Sequence, residues 1–97
     1  MIIAGNRSTG EITVDGKRLD PQISQKVWNH SPTGFAWGYG SDSAQLALAL
    51  LLHAGVPEDV ALKKHQELKQ SFVARLSPKY SFVAELHISP DGTWIQT

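Results

Sequence analysis

Histidines are the residues of this sequence best suited to chemistry, because an imidazole can act as a general base, carry a proton or bind a metal ion near neutral pH. The chain has four, His30, His53, His65 and His87, and each falls on a different predicted element. They lack the His-x-x-x-His spacing that places two metal ligands on one helical face, and the chain has no cysteine. We therefore predict no metal site and no cofactor. His65 lies in an apolar helical stripe and is interpreted as a hydrogen-bonded residue at the edge of the core.

A second chemical hypothesis concerns His30, which is followed by Ser31 and lies within reach of Asp42. Serine, histidine and aspartate are the members of a hydrolase triad. The sequence has no Gly-x-Ser-x-Gly elbow to expose the serine, and a chain of 97 residues leaves little room for a substrate cleft. We predict no catalytic residue and no enzymatic activity.

The glycines at Gly38 and Gly40 precede a predicted helix, where free backbone N–H groups could hold an anion. A phosphate site would need a nearby lysine, which is missing, and Asp42 would repel an anion. We interpret this segment as a structural turn.

Tryptophan is the most informative residue type for partner binding. Trp28 and Trp37 fall on two neighbouring predicted strands, and Trp94 lies near the end of the sequence. We expect Trp37 to pack on the helices with Phe35 and Tyr39, because the three share one face of their strand. If Val27 faces inward, Trp28 faces outward, where tryptophan is a common anchor of protein interfaces. The residues predicted to bind a partner are Trp28, His30, Tyr39, Asp42 and Trp94.

The stretch from Ala44 to Leu52 predicts a helix that is buried on all sides, because Gln45 is its only polar residue. Asp42 or Ser43 is the expected N-cap of this helix. Gly55 is expected to end it in the left-handed conformation.

A second helix is predicted from Pro57 to about Leu76, packed antiparallel against the first. Its apolar stripe consists of Ala61, His65, Leu68, Phe72 and Leu76, widened by Leu62 and Val73. The basic residues on and beyond this helix are Lys63, Lys64, Lys69, Arg75 and Lys79. They are interrupted by Glu67, and we interpret them as a solvated face.

The strands are predicted as hairpins, because alternating apolar residues flank turn sequences such as Asp15-Gly16. The predicted strands are Met1–Ala4, Ile12–Val14, Lys17–Leu19, Lys26–His30, Phe35–Tyr39, Tyr80–Ile88 and Thr93–Thr97. The fold class is therefore α+β, with an antiparallel sheet packed against an antiparallel pair of helices in an order of about ββββ-αα-ββ. We expect one compact domain over residues 1–97.

One segment carries a family resemblance: Asn29-His-Ser-Pro-Thr-Gly-Phe-Ala-Trp-Gly-Tyr-Gly, followed by Ala44-Gln-Leu-Ala-Leu-Ala-Leu-Leu-Leu. Over residues 12 to 76 the chain resembles a family of small proteins of unknown function found in phages, plasmids and bacteria. It departs from that family in the shorter Gly40-Ser41-Asp42-Ser43 turn and in a C-terminal hairpin where the family has a short helix. The resemblance implies no established activity. Its one functional indication is that proteins of this family occur in mobile elements.

The charge balance of the chain bears on the class of partner that it is expected to bind. The formal net charge is zero, with nine basic and nine acidic residues, which disfavours a nucleic-acid partner because phosphate neutralisation normally dominates such binding. The first residues lack a secretory signal pattern, so we expect a cytoplasmic protein without a membrane partner.

We predict a non-enzymatic protein-interaction module that binds a host protein or protein complex. Its sharpest form is an inhibitor of bacterial immunity, such as an anti-CRISPR protein. The alternative is a weak nucleic-acid binder that uses the basic residues of the second helix and an exposed tryptophan. A homodimer that pairs through an edge strand is a further hypothesis.

Overall fold

The computed structural model describes residues 1–31, 34–38 and 40–96, with residue 41 described by its backbone alone. The chain forms an α+β fold, as the sequence predicts, in the order βββ-ααα-ββ. The strands are β1 Ile2–Gly5, β2 Ile12–Val14, β3 Lys17–Arg18, β4 Phe82–Ile88 and β5 Trp94–Gln96. The helices are α1 Pro21–Val27, α2 Ser41–His53 and α3 Glu58–Ser71, and a 3-10 turn spans Val73–Arg75.

The five strands form one antiparallel sheet in the order β3-β2-β1-β4-β5. The first strand is central, because Ile3 pairs with Val14 on one side and with Ala84 on the other. The hairpin between β2 and β3 is confirmed, and both Asp15 and Gly16 have the positive φ angles that its turn requires. The N-terminal and C-terminal parts of the chain therefore meet in the middle of the sheet.

One face of the sheet is covered by helices and the other is open. The inward side chains of Ile3, Ile12 and Leu86 are buried and join those of α2 in one core. On the opposite face Val83 is 75% exposed, and Ile2 and Ile95 are also largely exposed. This alternation confirms the predicted period of two along β4, which starts at Phe82, later than predicted. Residue 97, the predicted end of the last strand, lies outside the described residues.

The predicted buried helix is α2. The side chains of Leu46, Leu48, Leu50 and Leu51 are completely buried. The helix begins earlier than predicted, and its N-cap is Gly40 rather than Asp42 or Ser43, because the glycine adopts a φ of 122° that those residues would resist. Gly55, with a φ of 90°, follows the helix end as expected.

The second predicted helix, α3, ends at Ser71 and not near Leu76. Phe72 leaves helical geometry at a φ of −128°, and the chain continues as the 3-10 turn. This change of path buries Phe72 and Val73 together. The predicted stripe is otherwise confirmed, since Ala61, His65 and Leu68 are buried on the side of α3 that packs on α2.

The second predicted hairpin is wrong, because residues 21–27 form α1. The carboxylate of Asp20 accepts a hydrogen bond of 2.9 Å from the N–H of Gln22, and Pro21 occupies the first helical turn. These are the two standard signals of a helix start. They directly follow the predicted strand Lys17–Leu19, and we interpreted them as the end of that strand. Trp28 therefore lies at the end of a helix, and Phe35 and Trp37 lie in a connecting segment.

That connecting segment still packs in the core, as predicted for Trp37. The side chain of Trp37 is 4% exposed, and its indole N–H donates a 2.9 Å hydrogen bond to the carbonyl of Tyr80. Its ring meets that of Phe82 edge-on at a centroid distance of 5.0 Å. Within the described part of the chain, none of the helices has the length and apolar character needed to cross a membrane.

Candidate interaction site

Gln45 organises the candidate site: it is the polar residue in the apolar run of α2 from Ala44 to Leu52, and its side chain is completely buried. Its Oε1 accepts hydrogen bonds from the backbone N–H groups of His30 at 2.7 Å and Ser31 at 3.1 Å. Its Nε2 donates to the Ser24 hydroxyl at 2.8 Å, and that hydroxyl donates to the carbonyl of Pro21 at 3.0 Å. A buried amide with these partners is well satisfied. Gln45 therefore joins α2 to α1 and to the segment that follows α1.

The segment from Trp28 to Ser31 follows the end of α1, and its first residue has extended backbone geometry. The N–H of Trp28 makes the last helical bond, to the carbonyl of Ser24, and Trp28 itself has a φ of −155°. The amide Nε2 of Gln25 donates a 2.8 Å hydrogen bond to the carbonyl of Ser31. Both ends of this four-residue segment are thus tied to α1, and its middle is tied to α2 through Gln45.

This geometry directs His30 towards α3, where it meets His65. The two Nε2 atoms are 3.0 Å apart, and the ring centroids are 5.0 Å apart. The Nδ1 of His65 lies 2.8 Å from the carbonyl oxygen of Leu62. A carbonyl only accepts hydrogen bonds, so Nδ1 of His65 carries a proton. When both rings are neutral, His65 Nε2 is therefore the acceptor and His30 Nε2–H is the donor.

The surroundings of His30 favour its neutral form. Partial burial is the main cause that lowers the pKa of His30, and the nearby His65 and Lys69, both on α3, lower it further. His30 is thus neutral at pH 7.

Trp28 completes the arrangement by lying flat on His30. The two ring centroids are 5.1 Å apart with an angle of 6° between the ring planes, and the His65 ring is 6.3 Å from the indole. Trp28 nevertheless remains 54% exposed. We call Trp28, His30 and His65 the Trp28 cluster. It presents a large aromatic surface to solvent in a fixed orientation.

Comparison with known proteins adds one assignment. The sequence profile of a family of unknown function, DUF6166, matches residues 3–95. The chain belongs to this family. The DUF6166 match includes the Trp28 cluster and nearly all of the sheet, and it extends beyond residues 12–76, where the sequence analysis found its resemblance. No curated protein and no solved structure matches the chain.

The structure of this DUF6166 member brings together some of the predicted partner-binding residues and separates others. Trp28 and His30 are stacked, and Trp28 is exposed, as expected if Val27 faces inward, although it lies at the end of α1 and not on the predicted strand. Asp42 is half-buried in the first turn of α2. Trp94 is half-buried on β5 and lines a different cleft with Lys64 and Glu67. Tyr39 lies outside the described residues.

The structure of this DUF6166 member also shows where the residues of the other chemical hypotheses lie. His30 Nε2, the atom that a triad histidine would turn towards serine, faces His65. Among the described residues, no group of three or more histidine, aspartate or glutamate side chains is arranged around a metal position. The N–H of Gly38 donates to the carbonyl of Val73 at 2.9 Å, and Gly38 packs closely on Pro78. Gly38 thus serves a packing role, as the structural-turn interpretation expected.

The sequence did not lead us to predict that Gln45 and His65 form hydrogen bonds with His30. Gln45 carried a signal, because a single amide within a fully apolar helix must find buried hydrogen-bond partners. His65 carried a weaker one as the only polar member of the apolar stripe of α3. The identity of their partner, His30, depends on how α1 ends, which was predicted as a strand.

Proposed function

We propose that this chain is a non-enzymatic protein-interaction module whose contact surface is centred on Trp28. The observation that carries the proposal is that Trp28 is 54% exposed while its ring is held parallel to that of His30. Exposed tryptophan is enriched among residues that dominate binding energy. A ring already fixed in place loses little conformational freedom on binding, which favours affinity.

The surroundings of Trp28 define the chemistry of the partner. Lys26 is exposed on the last turn of α1, and Lys69 of α3 is close enough to His30 to lower its pKa. The complementary partner is a protein surface with an apolar pocket for the indole and acidic residues at its rim.

The sharper form of this proposal is an inhibitor of bacterial immunity, such as an anti-CRISPR protein, that acts in the cytoplasm on a host protein complex. It is supported by the small size of the chain and by its resemblance to proteins of phages and plasmids. In this form the module acts by occupying a surface of the host protein, which requires no chemistry of its own.

A second candidate function is weak binding of single-stranded nucleic acid. It is favoured by the position of Lys69 beside the Trp28 cluster, because an aromatic platform next to a cation can stack a base and hold a phosphate. It ranks second because the formal net charge of the chain is zero.

A homodimer would use an edge of the sheet. Of the two edge strands, β3 consists of Lys17 and Arg18, whose charges oppose pairing with a second copy. The proposed dimer edge is therefore β5, at Trp94–Gln96.

The test is affinity capture from a bacterial host lysate, with and without nuclease, followed by mass spectrometry and reconstitution with the purified partner. We compare the wild type with Trp28→Ala and with Val83→Ala, which removes a more exposed apolar side chain from the open face of the sheet. The proposal predicts a stoichiometric protein that survives nuclease, is lost with Trp28→Ala and is retained with Val83→Ala. Binding that disappears with nuclease would favour the nucleic-acid function instead.

A further inference from the structure

We propose that His30 and His65, which share one proton between their Nε2 atoms, form a pH-sensitive latch. The latch holds Trp28 in its binding orientation and opens when the pair becomes doubly charged. The latch concerns the regulation of the proposed Trp28 surface, and only its effect on partner binding rests on that function. The geometry of the pair can be followed proton by proton.

The first step is the proton count of the closed latch. The neutral pair carries two ring protons, one on His65 Nδ1, donated to Leu62, and one between the two Nε2 atoms. A third proton can be bound at Nδ1 of His30 while the proton between the Nε2 atoms stays in place. The singly charged pair therefore keeps its hydrogen bond, which is strengthened by the charge.

The second step is the fourth proton, which gives both Nε2 atoms a hydrogen. Two N–H groups cannot face each other at 3.0 Å, and two imidazolium ions at this distance repel strongly. The doubly charged pair must therefore separate. The latch is closed when the pair is neutral or singly charged, and it opens when the pair is doubly charged.

The third step concerns the neighbours that could compensate this charge. On α3 the titratable groups facing His30 are His65 and Lys69, and both oppose a further positive charge. Within the described part of the chain, the contacts to the pair from other elements come from uncharged groups: the Trp28 ring stacks on His30, and Gln45 of α2 binds its backbone. Gln66, also uncharged, lies 3.5 Å from His65 Nε2. The local charge therefore favours opening over the addition of a counterion.

The fourth step is the extent of the opening. The backbone N–H groups of His30 and Ser31 remain bound to the buried Gln45, which has no titratable group. The helices stay in place, and the movement is confined to the His30 ring and to the indole stacked on it. Opening the latch therefore frees Trp28 without unfolding the protein.

The experiment is an NMR titration of the free protein with ¹⁵N-labelled histidine rings, in which the Trp28 indole resonance is followed at the same time. His53 and His87, both exposed, serve as internal references. We expect the ring signals of His30 and His65 to change together in two coupled steps, the lower of them below the pH at which the signals of the exposed histidines change. The Trp28 resonance should follow the lower step.

The variant His30→Gln removes one ring of the pair, and the remaining His65 should then titrate in a single step. His65→Asn provides the reciprocal measurement on His30. If His65→Asn does not fold, the wild type and His30→Gln still decide the question. A single shared midpoint for all four wild-type histidines would overturn the latch. Since no partner is present, this result is independent of whether the proposed interaction is found.

Discussion

The side-chain oxygen of Gln45 accepts a 2.7 Å hydrogen bond from the backbone N–H of His30. This contact joins the middle of the buried helix α2 to the segment that carries the exposed Trp28. It makes an internal residue responsible for the position of a surface one, so that core packing and the candidate interaction site are coupled.

The first prediction concerns that contact. Gln45→Leu preserves the approximate size of the side chain but removes the acceptor of the His30 and Ser31 N–H groups and the donor to the Ser24 hydroxyl, which keeps its bond to Pro21. Each unsatisfied buried group costs about 1–3 kcal/mol, so we expect the free energy of unfolding to fall by about 2–4 kcal/mol in chemical denaturation. Gln70→Leu, an exposed glutamine on α3, is the control and should change stability by less than about 0.5 kcal/mol. Equal effects of the two substitutions would contradict the role given to Gln45.

The second prediction contrasts two tryptophans. Trp37→Ala removes a buried ring and its hydrogen bond to the Tyr80 carbonyl, and should lower the free energy of unfolding by about 3–5 kcal/mol. Trp28→Ala removes a half-exposed ring stacked on His30, and should lower it by less than about 1.5 kcal/mol. Denaturant titration of both variants measures the difference. A loss at Trp28 as large as that at Trp37 would assign Trp28 to the core and remove it from the interaction site.

The contrast between these tryptophans also indicates how much of the fold local sequence patterns can predict. The apolar run of α2, the Asp15-Gly16 hairpin and the alternation along β4 were predicted correctly, because each is encoded by neighbouring residues. The seven-residue helix α1 is too short to display a clear period. It is fixed by the Asp20 cap and by the bond from Gln45 to Ser24, and only the first of these is local.

The candidate site could be predicted only in part for the same reason. Strand alternation placed Trp28 at the surface only on the condition that Val27 faces inward. The pairing of His30 with His65 joins residues that are 35 positions apart and depends on the path of the chain after α1. A wrong secondary structure at α1 therefore concealed the partner of His30, while the core prediction for Trp37 was unaffected.

The third prediction is a pH dependence of stability with a defined sign. The pKa of His30 is lowered from 6.5 in the folded protein, chiefly by burial and then by His65 and Lys69. Between the unfolded and folded pKa values the unfolded chain binds more protons, so stability falls as the pH decreases below 6.5 and is unaffected by His30 above it.

The measurement is the free energy of unfolding of the wild type and of His30→Gln between about pH 7.5 and about pH 5. The wild type should lose more stability over this range than His30→Gln, because glutamine does not titrate. His53 and His87 are present in both proteins, so the difference between the two profiles reports on His30 together with its contact partner His65. Parallel pH profiles would show that His30 takes up its proton as readily in the folded protein as in the unfolded chain.

The fourth prediction separates the two proposed surfaces. If β5 forms a homodimer, Ile95→Lys, which places a charge on this edge strand, should shift the protein to monomers in analytical ultracentrifugation. The same substitution should leave binding at Trp28 unchanged, because Trp28 lies at the end of α1. A monomeric wild type would exclude the dimer and leave the Trp28 surface as the proposed interface.

The central claim is that Trp28 anchors a protein partner, and the most direct test is the affinity of the purified partner for wild type and Trp28→Ala by isothermal titration calorimetry. A residue that dominates an interface contributes about 2 kcal/mol or more, so Trp28→Ala should raise the dissociation constant by at least about thirtyfold. Val83→Ala on the open sheet face should change it by less than about twofold. Equal affinity of Trp28→Ala and wild type, with Val83→Ala weakened instead, would contradict the account and move the interface to the sheet.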